Sequence, residues 1–332
     1  MNRNNKLIKE ICQQLNLGKL NRKPKRIAGG FMHKMYRLHT QSGDYALKLL
    51  NPEIMKRPDV FENYKVAENL EQCLEDNGLP IVAALEHNGR KMQCIHNRYY
   101  YIFNWVNGKS LKPEDIKPEH CIIIADLLAK IHTIHCEVQN AAKQELDIDW
   151  DFYIEQSKTK CPKITQILSE NKNLLYKSQQ EGNLALNKLP NITCISNGDM
   201  DSKNVLWMNN KPQIIDLECL NYGNPFVEMF QLALCWSGYE ECKIDFSRFE
   251  SFLKSYLNRY GKIQMDCEAL YYGNTGRLEW LEYNIKRALM IECENRQERK
   301  LGINQVKETM EHIIYYDKIK NKLISCLKKY FS

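Results

Sequence analysis

Residues 195–207 read I-S-N-G-D-M-D-S-K-N-V-L-W, and residues 212–218 read P-Q-I-I-D-L-E. Two short apolar runs, 205–208 and 213–217, flank the polar stretch 209–212, which predicts a β-hairpin. Asp199 lies in a loop ahead of Asn204, Asn204 opens the first strand and Asp216 closes the second. A hairpin would return Asp216 to the end where Asn204 enters, beside Asp199. Phosphoryl transfer from ATP needs such a set: one carboxylate to accept or orient the proton of an attacking hydroxyl, and an amide oxygen with a second carboxylate to hold Mg²⁺ on the triphosphate. The plainer reading is an Asn/Asp-rich loop before an ordinary hairpin, and the rest of the chain decides between the two.

Upstream, the first hundred residues predict strands. An amphipathic N-terminal helix leads to strands at 25–28, Lys34–Thr40 and 45–50, with a turn at 41–44. A helix is expected over 59–77, with Val66, Leu70 and Leu74 on one face, stopped by Gly78 and Pro80. Strands at 91–95 and 98–103 follow, and Asn104-Trp105-Val106-Asn107-Gly108 breaks the pattern. Beyond it the periodicity is helical: Pro118–His132, then 227–236, Phe246–Tyr260, 269–293 and 306–330. The fold class expected is α+β and bilobal, like a protein kinase. Residues 1–103 form a β-rich lobe, 104–108 a hinge, and 109–332 a helical lobe carrying the catalytic loop and the acceptor site.

Such a fold requires a phosphate-covering loop and a lysine on a following strand. Gly29-Gly30 is the candidate loop, since glycine lets backbone N–H groups approach phosphate oxygens, although a full G-x-G-x-x-G is absent and a tight turn is the alternative. Lys48, in Y-A-L-K-L-L, is the candidate lysine; the alternative is a solvent-facing residue on a half-buried strand. A buried ammonium needs a carboxylate. The helix at 59–77 offers Glu62, Glu68 and Glu71, of which Glu68 is favoured. Backbone groups of Asn104 and Val106 are expected to read the adenine.

These segments together resemble the aminoglycoside phosphotransferase and choline kinase-like family, small-molecule relatives of protein kinases. The resemblance runs through A-G-G-F at 28–31, Y-A-L-K at 45–48, N-W-V-N-G-K-S-L at 104–111, L-L-A-K-I-H-T-I-H at 127–135, the 197–207 loop, I-I-D-L-E, and Y-G-N-P-F-V-E-M-F at 222–230. It implies that Asp199 is the catalytic aspartate, that Asn204 and Asp216 bind Mg²⁺, and that Lys48 contacts the α- and β-phosphates of ATP. Three positions depart from the pattern: Asn197 stands where histidine is usual, Glu228 where aspartate is usual, and Lys203 where a small residue is common.

Composition excludes other classes. With 43% hydrophobic and 27% charged residues over 332 positions, the chain has the make-up of a soluble globular protein, and no apolar run reaches the length of a membrane span. The N-terminus lacks the apolar core and cleavage site of a secretory signal. The 13 cysteines are scattered and show neither C-x-x-C nor zinc spacing, which fits reduced thiols in a cytoplasmic protein. A net charge of +6 comes from interleaved acids and bases, so no nucleic-acid partner is expected. The expected partner is a small-molecule hydroxyl substrate, aminoglycoside- or antibiotic-like or an amino alcohol. Acids and aromatics at Trp236, Tyr239, Glu240, Glu241, Tyr271, Tyr272, Glu279, Trp280, Glu282 and Tyr283 suggest an amino-bearing compound of few positive charges. A catalytically weak scaffold protein of the same fold is the competing function. Its mark would be loss of Lys48, Asp199, Asn204 or Asp216, and all four are present.

Overall fold

The computed structural model describes residues 3–27, 32–135 and 145–332. It divides into two compact units: Met1–Lys109 with Val205–Glu218, and Ser110–Asn204 with Cys219–Ser332.

The first unit is built on an antiparallel sheet of β1 (Lys25–Arg26), β2 (Lys34–Thr40), β3 (Gly43–Leu49), β4 (Gln93–Ile95) and β5 (Arg98–Asn104), in the order β1-β2-β3-β5-β4. Strand alternation sends side chains to opposite faces. Leu47 and Leu49 of β3, with Tyr100 and Ile102 of β5, bury under helix α1 (Arg3–Gln14), whose Ile8, Ile11 and Cys12 form one helical stripe, continued by Leu15 just past its end. Lys48 and Tyr101, one residue out of phase, share the other face and stand opposite each other in the β3–β5 register. On that side Leu50, Ile54, Val60, Tyr64, Ala84 and Tyr101 form a second cluster, with Val60 and Tyr64 supplied by helix α2 (Val60–Asp76).

The hairpin forms as expected at its first strand, Val205–Met208, but its partner runs over Lys211–Ile214 and not 213–217. Met208 pairs with Lys211, so the turn is only Asn209-Asn210, both with positive φ (52° and 58°). Asparagine tolerates that conformation, which matches the right-handed twist of the flanking strands. The chain leaves the ladder after Ile214, and Asp216 itself takes a left-handed φ of 64°.

The hairpin groups with the first unit, whereas the sequence places it in the helical part. Val82 N–H donates to Ile214 O, and Ile214 N–H donates to Pro80 O. Lys109 and Trp207 exchange two further backbone bonds. A Cβ on Gly108 would meet Leu206 Cβ at 2.8 Å, so glycine is what allows the connector to lie against the hairpin.

The second unit is helical: α3 (Pro118–His132), α4 (Trp150–Lys160), α5 (Pro162–Glu170), α6 (Lys172–Leu186), α7 (Pro225–Trp236), α8 (Phe246–Tyr260), α9 (Cys267–Gly273), α10 (Gly276–Ala288), α11 (Arg296–Lys318) and α12 (Lys320–Phe331). Sequence periodicity merges α9 with α10 and α11 with α12, and omits α4 to α6. The first merger fails at Gly273-Asn274-Thr275-Gly276, a helix-breaking run. The omitted helices carried signals: Asp149 caps α4 by accepting from Phe152 N–H at 2.9 Å, and Pro162 opens α5. Helix α7 is apolar almost all round, with Phe226, Met229, Phe230, Leu232, Ala233, Leu234 and Trp236 buried, as a central helix must be. No described helix is long and apolar enough to cross a membrane. The described cysteines are all free thiols.

Candidate active site

In the first unit Lys48 is 4% exposed, and burying an ammonium costs heavily unless it is paired. Its Nζ donates to Asp216 Oδ1 and to Glu218 Oε2. Burial opposes the charge, but the two carboxylates outweigh it and push Lys48 well above its ordinary range. Burial likewise raises Glu218, yet Lys48 and His33 reverse this and hold its carboxyl well below the usual range. His33 Nε2 lies 3.0 Å from Glu218 Oε1.

This pairing corrects the expected Lys48–Glu68 couple. Glu68 accepts instead from Tyr101 Oη at 2.8 Å and from Met92 N–H at 3.0 Å. Glu71 accepts from Lys91 Nζ at 2.7 Å and Ala84 N–H at 3.1 Å, and Glu62 is exposed. The acids of α2 thus anchor the segment between α2 and β5. Tyr101, opposite Lys48 on the neighbouring strand, takes the carboxylate that sequence reasoning assigned to the lysine. Glu218 was missed although it stands two residues after Asp216 in D-L-E; no local rule gives a carboxylate there to a lysine 170 positions away.

Asn104 ends β5 opposite Tyr45, and Val106 lies in the connector, where Arg37 stacks over Trp105 at 4.1 Å. Gly29 and Gly30 lie outside the described residues.

In the second unit Asp199 follows the short strand Cys194–Ser196, which pairs with Asn221–Gly223. Its carbonyl accepts from Asn204 Nδ2 at 2.9 Å, which fixes the amide by its nitrogen and leaves Oδ1 without a hydrogen-bond partner among the described residues. Lys203 pairs with Asp199 at 3.4 Å and Asp201 at 2.8 Å, so the departure from a small residue places a cation beside the candidate base.

Glu228, from the first turn of α7, sets the loop's position. Its Oε1 accepts from Asn197 N–H and Gly198 N–H, both at 2.9 Å, and its Oε2 meets His132 Nε2 at 3.0 Å. His132 Nδ1 in turn contacts Tyr256 Oη at 2.7 Å. Burial would raise the Glu228 carboxyl, but His132 and the backbone donors hold it below its usual range. The residue that replaces aspartate therefore ties the two peptides ahead of Asp199 to α7 and α3. Asn197, which stands where histidine is usual, is fully buried, and neither its Nδ2 nor its Oδ1 has a partner among the described residues.

The donor chemistry fits a nucleotide-bound Mg²⁺. Against the single charge of Lys48 stand two carboxylates, and the Asp216 side chain is 35% exposed, so a hard-oxygen donor with uncompensated negative charge remains. Among the described residues no three His, Cys, Asp or Glu side chains could hold a metal unaided. Phosphate oxygens would complete such a site, as Mg²⁺ prefers.

The phosphotransferase enzyme family matches residues 23–271. Spectinomycin phosphotransferase APH(9)-Ia, solved with ADP and spectinomycin, has a similar structure: TM-score 0.70 at 13% identity, over 94% of this chain and 98% of that one. Choline kinase from Cryptosporidium parvum gives 0.56 at 11% identity, over 98% and 99%. The microcompartment-associated aminopropanol kinase gives 0.57 at 14% identity, over 94% and 98%. No curated protein sequence matches the chain. With three quarters of its length matched by one family and its fold shared with these enzymes, the chain belongs to the phosphotransferase enzyme family.

Proposed function

We propose that this protein transfers the γ-phosphate of ATP, with Mg²⁺, to a hydroxyl of a small molecule. The observation that carries the reading is the buried Lys48 ammonium held by Asp216 and Glu218, a lysine maintained charged where phosphate oxygens would need it. Asp199 accepts the proton as the acceptor oxygen bonds to the γ-phosphorus and the bond to the bridging oxygen breaks, releasing ADP. Asn204 Oδ1 and Asp216 would hold the metal, which would neutralise charge on the phosphates. The backbone of Asn104 and Val106 reads the adenine, and Gly29-Gly30 covers the phosphates. Free thiols support a reducing, cytoplasmic setting.

The acceptor reading rests on a pocket in the helical unit whose lining includes Tyr239, Tyr271, Tyr272 and the charged residues Arg277, Lys177 and Asp317. Its lining residue Arg277 and the Asp199 loop both reach the end of α7. Trp236 Nε1–H donates to Met200 O at 3.0 Å, and Cys235, whose thiol burial pushes up to about 11, feels Arg277 as well as Asp199. Two of the four acids expected to attract an amine are already engaged, Glu240 with Arg277 and Glu282 with Tyr153 and Lys286. The aromatic faces are shared with cations of the chain itself, Arg277 over Tyr239 at 5.0 Å and Lys320 over Tyr272 at 4.5 Å. This favours a hydroxyl compound with few positive charges, an amino alcohol or a sparsely charged antibiotic, over a polycation. The names of the similar structures, which include antibiotic and amino-alcohol kinases, support the same range.

The test is ADP release by purified protein against a panel of amino alcohols, aminoglycosides, macrolides and neutral sugars, with Asp199→Ala as control. Removing a group that accepts or orients the proton should cost about 10²–10⁴-fold in kcat with ATP affinity largely retained. Near-full turnover by that variant on the preferred acceptor would remove Asp199 from its role.

A further inference from the structure

Glu218 is held from two sides. One oxygen accepts from Lys48 Nζ, and the other lies 3.0 Å from His33 Nε2. The imidazole is itself oriented: Asn51 N–H donates to His33 Nδ1 at 3.0 Å, so Nδ1 carries no proton and the ring's N–H lies on Nε2, directed at Glu218. Tyr64 Oη lies 3.4 Å from Nε2 of the same ring. His33, Lys48 and Asn51 are all buried. Glu68 and Glu71 of α2 are committed to Tyr101, Met92, Lys91 and Ala84, and Glu62 is exposed, so the carboxylates on the lysine come from outside that helix.

We propose that His33, acting through Glu218, is the positioning residue for the phosphate-binding lysine, in place of an acid on α2. The couple solves a problem that Asp216 creates. An Asp216 that turns toward a nucleotide-bound cation withdraws one of the two carboxylates from Lys48. A buried ammonium then needs its remaining partner fixed, and a carboxylate with one oxygen tied to an oriented imidazole cannot rotate to follow the metal. His33 stands three residues after Gly30 in the chain and immediately ahead of β2.

The inference rests on the nucleotide reading above, and its test needs no acceptor. Affinities for ATP with Mg²⁺ and for adenosine are measured by calorimetry in the wild type, His33→Ala, His33→Gln, Lys48→Met and the Lys48→Met/His33→Ala double variant. Lys48 would touch only phosphates, so a positioning role moves ATP affinity and spares adenosine. His33→Ala should lower the ATP-over-adenosine preference roughly tenfold, the loss of one hydrogen bond to a charged group. His33→Gln, which keeps an N–H donor, should restore most of it. In the Lys48→Met background, His33→Ala should cost nothing further. An undiminished preference in His33→Ala, an equal loss of ATP and adenosine affinity, or a full tenfold loss without Lys48 would each overturn the inference. A wild type with no preference for ATP over adenosine would overturn the nucleotide reading itself.

Discussion

Replacing Glu228 by alanine removes the acceptor on which Asn197 N–H, Gly198 N–H and His132 Nε2 converge. Hydrogen bonds to a charged group are worth about 1.5–3 kcal/mol each, so a naive sum for three is about 5–9 kcal/mol. That sum overshoots, because the variant also recovers the cost of burying a carboxylate that is 3% exposed, which is several kcal/mol. Breaking such a buried charged arrangement nets about 3–5 kcal/mol. For a unit of roughly 200 residues this corresponds to a fall in Tm of about 6–20 °C, at 2–4 °C per kcal/mol. Glu228→Gln keeps one oxygen for the two backbone amides and can present its amide N–H to His132, so it should lose less than half as much. Turnover at a temperature where the variants remain folded should fall at least tenfold for alanine, since the peptides ahead of Asp199 lose their anchor. Differential scanning fluorimetry and ADP release together read both effects. A Tm within about 2 °C of wild type in Glu228→Ala would refute the anchoring argument, and a glutamine variant as impaired as alanine would show that charge and not hydrogen bonding matters.

Three further outcomes follow from the geometry. Asp216→Asn should raise the Mg²⁺ concentration for half-maximal rate more than Asn204→Ala does, because a carboxylate is the stronger hard-oxygen ligand; unchanged metal dependence in both would remove the pair as ligands. His312 is buried, and burial together with Arg277 pulls its pKa down to about 4. The unfolded chain therefore takes up a proton before the folded one does. Stability from this group is fully present above about pH 6.5 and should be lost as pH falls toward 4, on the order of 2–3 kcal/mol. His312→Gln, which can still reach the Glu240 carbonyl now 2.9 Å from His312 Nε2, should flatten chemical denaturation midpoints across that window, and an unaltered slope would count against it. In Gly302→Ala the new Cβ would sit 3.0 Å from Ala288 N and Asn284 O and 2.7 Å from Arg287 Cβ. Backbone cannot yield as a flexible side chain does, so overpacking of about 1–3 kcal/mol should exceed the roughly 1 kcal/mol gained in helix propensity; a stabilised variant would show that α10 and α11 can move apart.

Local signals in the sequence were sufficient for the fold class and for much of the site. Alternation in Y-A-L-K-L-L determined that Lys48 faces away from Leu47 and Leu49, because side chains on a strand have a period of two and one face must be apolar. The Asn-Asn turn closed the hairpin, since few other residues accept two positive φ angles in succession, and the 3.6-residue stripes of α3, α7 and α8 located the helical core. What the sequence could not decide was which charges meet. The sequence favours Glu68 over Glu62 and Glu71 as the partner of the ammonium and offers no reason to consider Glu218. The choice fell to packing: Tyr101 and Lys91 reached the α2 acids, and the chain after Ile214 carried Glu218 to Lys48 from 170 residues away. The same holds for Glu228, whose role comes from α7 lying against the loop ahead of Asp199, and for Glu240, whose charge Arg277 cancels. Periodicity is a property of neighbours in the chain and is written there. Ion pairing inside a folded protein depends on distance and desolvation, and these exist only once the elements have packed.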